Sequence, residues 1–338
     1  MFDNFHGNPG VVAALEQTIR GSRIPQTILL SGPEGVGKAT LARRFAAALL
    51  GSAGKIEQDD LSLEHNRTIV AEREKWAPEK RVEDPLLFSS HPDFITFAPD
   101  GPLRQISIRQ MRLLKEWAQF KPLRGNRRVF LIDQIDRAGE QAANSLLKTL
   151  EEPPDHLILI MTAANPYDLL PTIRSRAVWF HFAPLSAEEV RQFLTARGLE
   201  EVERRIALAQ GSPGLAVSLD LETYGRRREA MLALLETAAG AAPFSAWVQQ
   251  AESASSRQEK LEPLLKILYS LLEDLLVLQH SRGEIRNADL RVRLEGLAAR
   301  TRFDWIRRAV QKVDELADLV RRNIQKQLAL DALVLELR

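Results

Sequence analysis

The nine residues GPEGVGKAT, Gly32 to Thr40, have the make-up of a loop that holds phosphate. Gly32, Gly35 and Gly37 let backbone N–H groups approach anionic oxygens, and Lys38 supplies the charge that neutralises β and γ oxygens. In a working loop of this kind the next side chain gives Mg²⁺ a hydroxyl. Here that residue is Ala39, which has no oxygen. Thr40 stands one step on, about 100° further round a helix, and points elsewhere. Binding of ATP or ADP at Gly32, Gly35, Gly37, Lys38, Ala39 and Thr40 stays open, with Mg²⁺ entering only alongside a nucleotide.

A second element of the same chemistry is VFLIDQID, residues 129–136. Four apolar residues followed by Asp133 read as a buried strand that delivers a Mg²⁺-linked carboxylate to its C-terminal edge. The next position, where a hydrolase of this type keeps a glutamate to polarise water, is Gln134. An amide cannot act as a general base near neutral pH. Hydrolysis by this chain is therefore expected to be absent or weak.

Composition removes other chemistries. There is no cysteine, so disulfides, thiolate zinc sites and a cysteine nucleophile are excluded. The six histidines lack ligand spacing, and no metal site is expected. No apolar run reaches the roughly 18 residues that a bilayer requires, and the first residues show no targeting pattern, so a cytoplasmic protein without membrane contact is expected. Lys+Arg (46) and Asp+Glu (45) nearly cancel, so any nucleic-acid contact must come from local clustering.

The elements that must position these residues follow from periodicity. Val11 to Ile19 has helical spacing, TILLS reads as a strand into the glycine loop, and ATLARRFAAALL reads as the helix leaving it. HPDFITFAP, VFLID and LILIMT read as further strands, the last two apolar enough for a parallel sheet buried on both faces. Residues 51–90 crowd charges of both signs with little periodicity and read as an insertion with partial helix. Past Arg176 the strand-like VWFHF leads to Pro184, and from there the sequence turns helical to its end. Ser186 and Glu189 are spaced as a capping box, and Leu261, Leu264, Leu265, Leu268, Leu272 and Leu275 form one stripe, as do Leu316, Leu319 and Val320.

The stretches DQIDRAGEQAANSLLKTLEEPP and ANPYDLLPTIRSRA, with HPDF, LAQGSPGLA and the terminal NIQKQLALDALVLEL, resemble the bacterial DNA polymerase III clamp-loader family of AAA+ proteins. The likeness is to the delta-prime branch first and the gamma/tau motor branch second. It implies an α/β P-loop domain with a parallel sheet (1–183), a small helical lid (184–222) and an all-α C-terminal collar (223–338) that builds a hetero-pentameric ring. The implied partners are gamma/tau and delta subunits, the sliding clamp and primer–template DNA. The family's Ser-Arg-Cys motif corresponds to Ser175-Arg176-Ala177, which makes Arg176 an arginine finger for a neighbour's ATP site. The alternative is an active motor of gamma/tau type.

Departures from that pattern sharpen the expectation. The lid block GSPG is commonly followed by a nucleotide-sensing arginine, and here Leu215 stands there. Ala39, Gln134 and Leu215 remove a metal ligand, a base and a cationic sensor from one site. Relatives carry a four-cysteine zinc module where this chain has residues 51–90, so no zinc is expected. Between Arg104 and Arg128 eight basic residues face one acid, Glu116. Arg109 and Arg112, three apart on a predicted helix, are the expected phosphate contacts to DNA, which position without reading sequence.

Overall fold

The computed structural model describes residues 2, 5–255, 259–280, 283–320 and 325–338. Of the predicted C-terminal features, Asn323, Ile324 and the Val320 side chain lie outside the described residues. The chain forms two compact units, Met1–Val217 and Ser218–Arg338.

The first unit is built on a six-stranded sheet, β1 (Thr27–Ser31), β2 (Leu87–His91), β3 (Phe94–Phe97), β4 (Arg128–Ile132), β5 (Leu157–Ala163) and β6 (Val178–His181). The order is β2-β3-β4-β5-β1-β6. All neighbours are parallel except β2, which folds back on β3 as a hairpin. β1, β4 and β5 are buried at every residue, which is why they read as unbroken apolar runs and not as alternation.

Helices cover both faces. α1 (Pro9–Arg20) and α2 (Lys38–Leu50) bring Leu15, Leu41 and Phe45 against Ile28, Leu30, Leu131 and Ile160. After the intervening α3 (Ala53–Ile56), α4 (Glu64–Arg73) and α5 (Pro78–Glu83), helices α6 (Ile108–Ala118) and α7 (Glu140–Glu151) cover the other face. They bring Met111, Leu114, Leu146 and Leu150 against Leu29, Phe130 and Met161. α8 (Pro171–Arg174) precedes β6, and α9 (Ala187–Thr195), α10 (Val202–Ala209) and α11 (Pro213–Ser218) follow it. The capping box at the start of α9 is formed, with Glu189 N–H donating to Ser186 Oγ at 3.3 Å and Ser186 N–H to Glu189 Oε2 at 2.8 Å.

The insertion is more ordered than its charge pattern suggests. α3, α4, α5 and the strand β2, which periodicity did not reveal, all lie largely within it. Two buried arginines tie it down by ion pairs. Arg73, 4% exposed, donates to both Asp100 carboxylate oxygens at 3.1 and 2.8 Å. Arg43, 2% exposed, is paired with Asp60 and with Glu57. A segment organised around ion pairs and a small cluster of Val70, Leu86, Phe88 and Ala98 has no amphipathic face to display.

The second unit consists of α12 (Leu221–Ala238), α13 (Phe244–Ser255), α14 (Leu261–His280), α15 (Arg291–Arg300), α16 (Phe303–Val320) and α17 (Lys326–Leu337). The leucine stripe of α14 is buried throughout. On α16 the core is carried by Ile306, Ala309 and Val313, with Leu316 packed at its margin. Asp274 accepts Arg286 N–H at 2.8 Å and Asn287 N–H at 2.9 Å, and Trp247 Nε1–H donates to Asp331 Oδ1 at 2.6 Å. Among the described residues no helix is long and apolar enough to cross a membrane.

Candidate functional site

The glycine loop joins β1 to α2. Gly32 (φ 140°) and Gly35 (φ 79°) use conformations that side chains resist, and both are hemmed in. A Cβ on Gly32 would meet the Phe182 carbonyl oxygen at 2.3 Å, and one on Gly35 would meet the Leu215 nitrogen at 2.8 Å. Gly37 faces the Phe5 ring. Lys38 Nζ donates to the carbonyl oxygens of Gly32 and Pro33, each at 2.6 Å. Burial holds this ammonium below the ordinary lysine value, against the opposing pull of Asp133, Asp136 and Glu34. Gly214 N–H donates to Gly35 O at 2.8 Å, so the start of α11 rests on the loop. Thr40 stands apart, its Oγ1 accepting from Arg43 at 3.5 Å, on the side of the insertion's ion pairs.

Asp133 follows β4 and is 8% exposed. Thr162 of β5 donates its hydroxyl to Asp133 Oδ1 at 2.6 Å and accepts the Gln134 N–H at 2.8 Å. Gln134 itself lies in the left-handed region, φ 57°. Asp136 is raised above the usual carboxylate range by burial, opposed by the Ala164 N–H bond, and its Oδ1 has no hydrogen-bond partner among the described residues. Lys38, Asp133 and Asp136 thus form one electrostatic group at the C-terminal edge of the sheet. Thr162 and Asp136 were missed from sequence. Thr162 lies inside an apolar run, and Asp136 was overshadowed by Asp133 three residues earlier.

Tested against a magnesium nucleotide, the turn has the right shape for phosphate, but its lysine is spent on the chain's own carbonyls. The metal side has no oxygen at Ala39, and one Asp133 oxygen already accepts Thr162. Among the described residues no cluster of His, Asp and Glu is placed to hold a metal ion.

Arg176 is elsewhere. It lies two residues before β6, whose register with β1 pairs Ile28 with Val178 and Ser31 with His181. Arg176 therefore lies in the turn at the N-terminal edge of the sheet, while the loop leaves β1 at the opposite, C-terminal edge. Arg176 Nη1 donates to Thr172 O at 2.9 Å and Ser175 Oγ at 3.3 Å, and Nη2 donates to Glu151 Oε1 at 2.8 Å.

Arg109, Arg112 and Lys115 are exposed on α6, opposite the buried face of Gln110, Met111, Leu114 and Ala118. Arg128 does not belong to this patch, contrary to the count from sequence. It is 6% exposed, donates to Trp117 O at 2.8 Å and Phe120 O at 3.3 Å, and lies 3.8 Å from Asp93. Asp93, fully buried, also accepts the N–H groups of Leu123 and Arg124 at 2.7 and 2.6 Å. The HPDF block is thus the clasp of the loop before β4.

A family profile described as DNA polymerase III, delta subunit matches residues 7–186. A second, described as DNA polymerase III, delta subunit, C terminal, matches 226–338. DNA polymerase III subunit delta' of Pseudomonas aeruginosa is 27% identical over 336 residues, covering 91% of this chain and 90% of that protein. DNA polymerase III subunit tau of Escherichia coli is 29% identical over 193 residues, and the match spans 57% of this chain and 27% of that much longer protein. The crystal structure of a gamma subunit-related protein from Thermotoga maritima aligns with a TM-score of 0.44 at 18% identity, covering 96% of this chain and 98% of its own. With one profile across the α/β unit and another across the helical unit, this chain belongs to the DNA polymerase III delta subunit family.

Proposed function

We propose that this chain is a delta-prime-like subunit of a bacterial clamp loader, a stator that lends Arg176 to a neighbouring ATP site and hydrolyses little or no ATP itself. The assembly is supported by the likeness to a delta' subunit over 91% of the chain. The observation that carries the division of labour is the placement of Arg176 and Lys38 at opposite edges of the sheet. An arginine at the sheet edge away from its own loop is placed to serve a loop on another chain. An arginine finger is worth about 10³ to 10⁵ in rate, or roughly 4 to 7 kcal/mol of barrier. The chain's own loop, with Ala39 and Gln134, is correspondingly ill equipped, which disfavours the gamma/tau-type motor. In this reading the first unit comprises the α/β domain and the lid, the second is the collar of a hetero-pentamer with gamma/tau and delta subunits, and the assembly acts in the cytoplasm on the sliding clamp and primer–template DNA.

The test is steady-state ATPase of the purified chain, alone and then with its motor partner, DNA and clamp. The isolated chain is expected to show background turnover, and Arg176→Ala is expected to depress the reconstituted rate by about 10³-fold or more. Robust turnover by the isolated chain would sink the stator assignment.

A further inference from the structure

Resting on that reading, we infer that Glu151 is the positioning residue of Arg176, holding the guanidinium in the orientation in which it meets a neighbour's phosphate. The two side chains come from different elements, Glu151 from the last residue of α7 and Arg176 from the turn after α8. They meet through Arg176 Nη2 and Glu151 Oε1 at 2.8 Å, with side chains 32% and 49% exposed. Left to itself, a long arginine at this exposure samples many rotamers. Here Thr172 O and Ser175 Oγ take one end of the guanidinium and Glu151 fixes the other.

Helix energetics give Glu151 no other reason to be there. A carboxylate in the last turn of a helix opposes the macrodipole, whose C-terminus is already negative. The helix tolerates this anion next to a second acid, Glu152, and the ion pair with Arg176 offsets the cost. The support is also stiff. Pro153 and Pro154 follow at once, and Gln26 Nε2–H donates to Pro154 O at 3.1 Å, tying the end of α7 to the start of β1. On the other side, Trp179 Nε1–H donates to Arg174 O at 2.8 Å and braces the turn that carries Arg176.

The pairing leaves Arg176 able to act. A guanidinium has five N–H groups. Three make the contacts above, while Nε–H and the second Nη2–H make none among the described residues. Those two are available for an incoming anion, whose oxygens Glu151 does not displace. The arginine is oriented without being consumed.

The experiment is a double-mutant cycle in the reconstituted loader with DNA and clamp, comparing wild type, Glu151→Ala, Arg176→Ala and the double variant, with Glu151→Gln as the conservative control. Loss of orientation at a reacting phosphate is expected to lower kcat by roughly 10- to 100-fold with KM for ATP little changed. The loss is expected to vanish in the Arg176→Ala background, and Glu151→Gln, which keeps an acceptor oxygen, is expected to recover part of it. If Arg176→Ala is silent, the finger reading itself fails. If Arg176→Ala is damaging but Glu151→Ala is silent, or if the two losses multiply independently, Glu151 does not position the arginine and this inference is overturned while the finger reading stands.

Discussion

Gly214 donates its backbone N–H to the carbonyl oxygen of Gly35 across 2.8 Å, so a helix start seals the phosphate loop from outside while Lys38 holds it from within. The loop is a joint between the sheet and α11 as much as a binding element. Gly35→Ala is expected to strain that joint twice, through φ 79° and through the 2.8 Å approach of its Cβ to the Leu215 nitrogen. A cost of about 2 kcal/mol is expected, visible as a lower urea midpoint at unchanged m-value. An unchanged midpoint would show that the joint carries no load.

Asp93 holds two backbone amides and faces Arg128 with no access to water. Asp93→Ala leaves the buried Arg128 cation without its countercharge and two loop N–H groups without their acceptor. Breaking such an arrangement from one side is expected to cost about 3–5 kcal/mol, measured by thermal or denaturant unfolding. Replacement of the exposed Arg124 should cost a small fraction of that.

His91 accepts the Asp93 N–H on Nδ1 at 3.1 Å and is 1% exposed. Burial depresses its pKa below 6.5, with Arg124 and Lys55 adding to the shift and Asp93 and Asp59 opposing it. The unfolded chain therefore takes up a proton that the folded chain refuses. Stability is expected to fall as pH drops below about 6.5, by at most about 1.4 kcal/mol per pH unit, until the folded-state pKa is reached. Asp59, whose pKa burial raises, contributes the opposite slope at lower pH. Unfolding free energies between pH 7 and pH 5 should lose the His91 component in His91→Gln, which keeps an acceptor without titrating. An identical pH profile for that variant would exclude the effect.

Replacing Arg109 and Arg112 together with alanine is expected to weaken DNA binding by the loader and to lower the salt slope of log K by about two. Arg128→Gln is expected to do neither directly and instead to lower stability, because its guanidinium is spent on Trp117 and Phe120 carbonyls. Titrations at several salt concentrations separate the two behaviours. Equal slopes for wild type and the double variant would remove α6 from the DNA contact.

The sheet was legible where strands are buried on both faces, because β4 and β5 advertise themselves as apolar runs flanked by turn residues. β2 was not legible, since its alternation is short, carries Ser89 and Ser90, and sits among charges that pair across the fold. The loop glycines, Lys38 and Asp133 could be read because phosphate chemistry demands those types at that spacing. Thr162 could not, because a single hydroxyl in an apolar strand has no periodic signature. The pairing of Glu151 with Arg176 joins residues far apart in sequence, and only the packing of α7 against α8 makes it visible. The burial of Arg128 was hidden for a related reason, since its clasp partner Asp93 sits on the neighbouring strand's approach and not beside it in the chain.

The placement of Lys38 and Arg176 at opposite edges of one sheet gives the molecule a direction. A subunit that receives at one edge and gives at the other can only be joined head to tail, an arrangement that closes into a ring or runs on. On the proposed stator reading, with a giving edge at Arg176 and a receiving edge lacking its metal oxygen and base, this chain would suit one position in such a series, the end. It would complete its neighbour's site, but a subunit added at its own loop would find no reaction to complete.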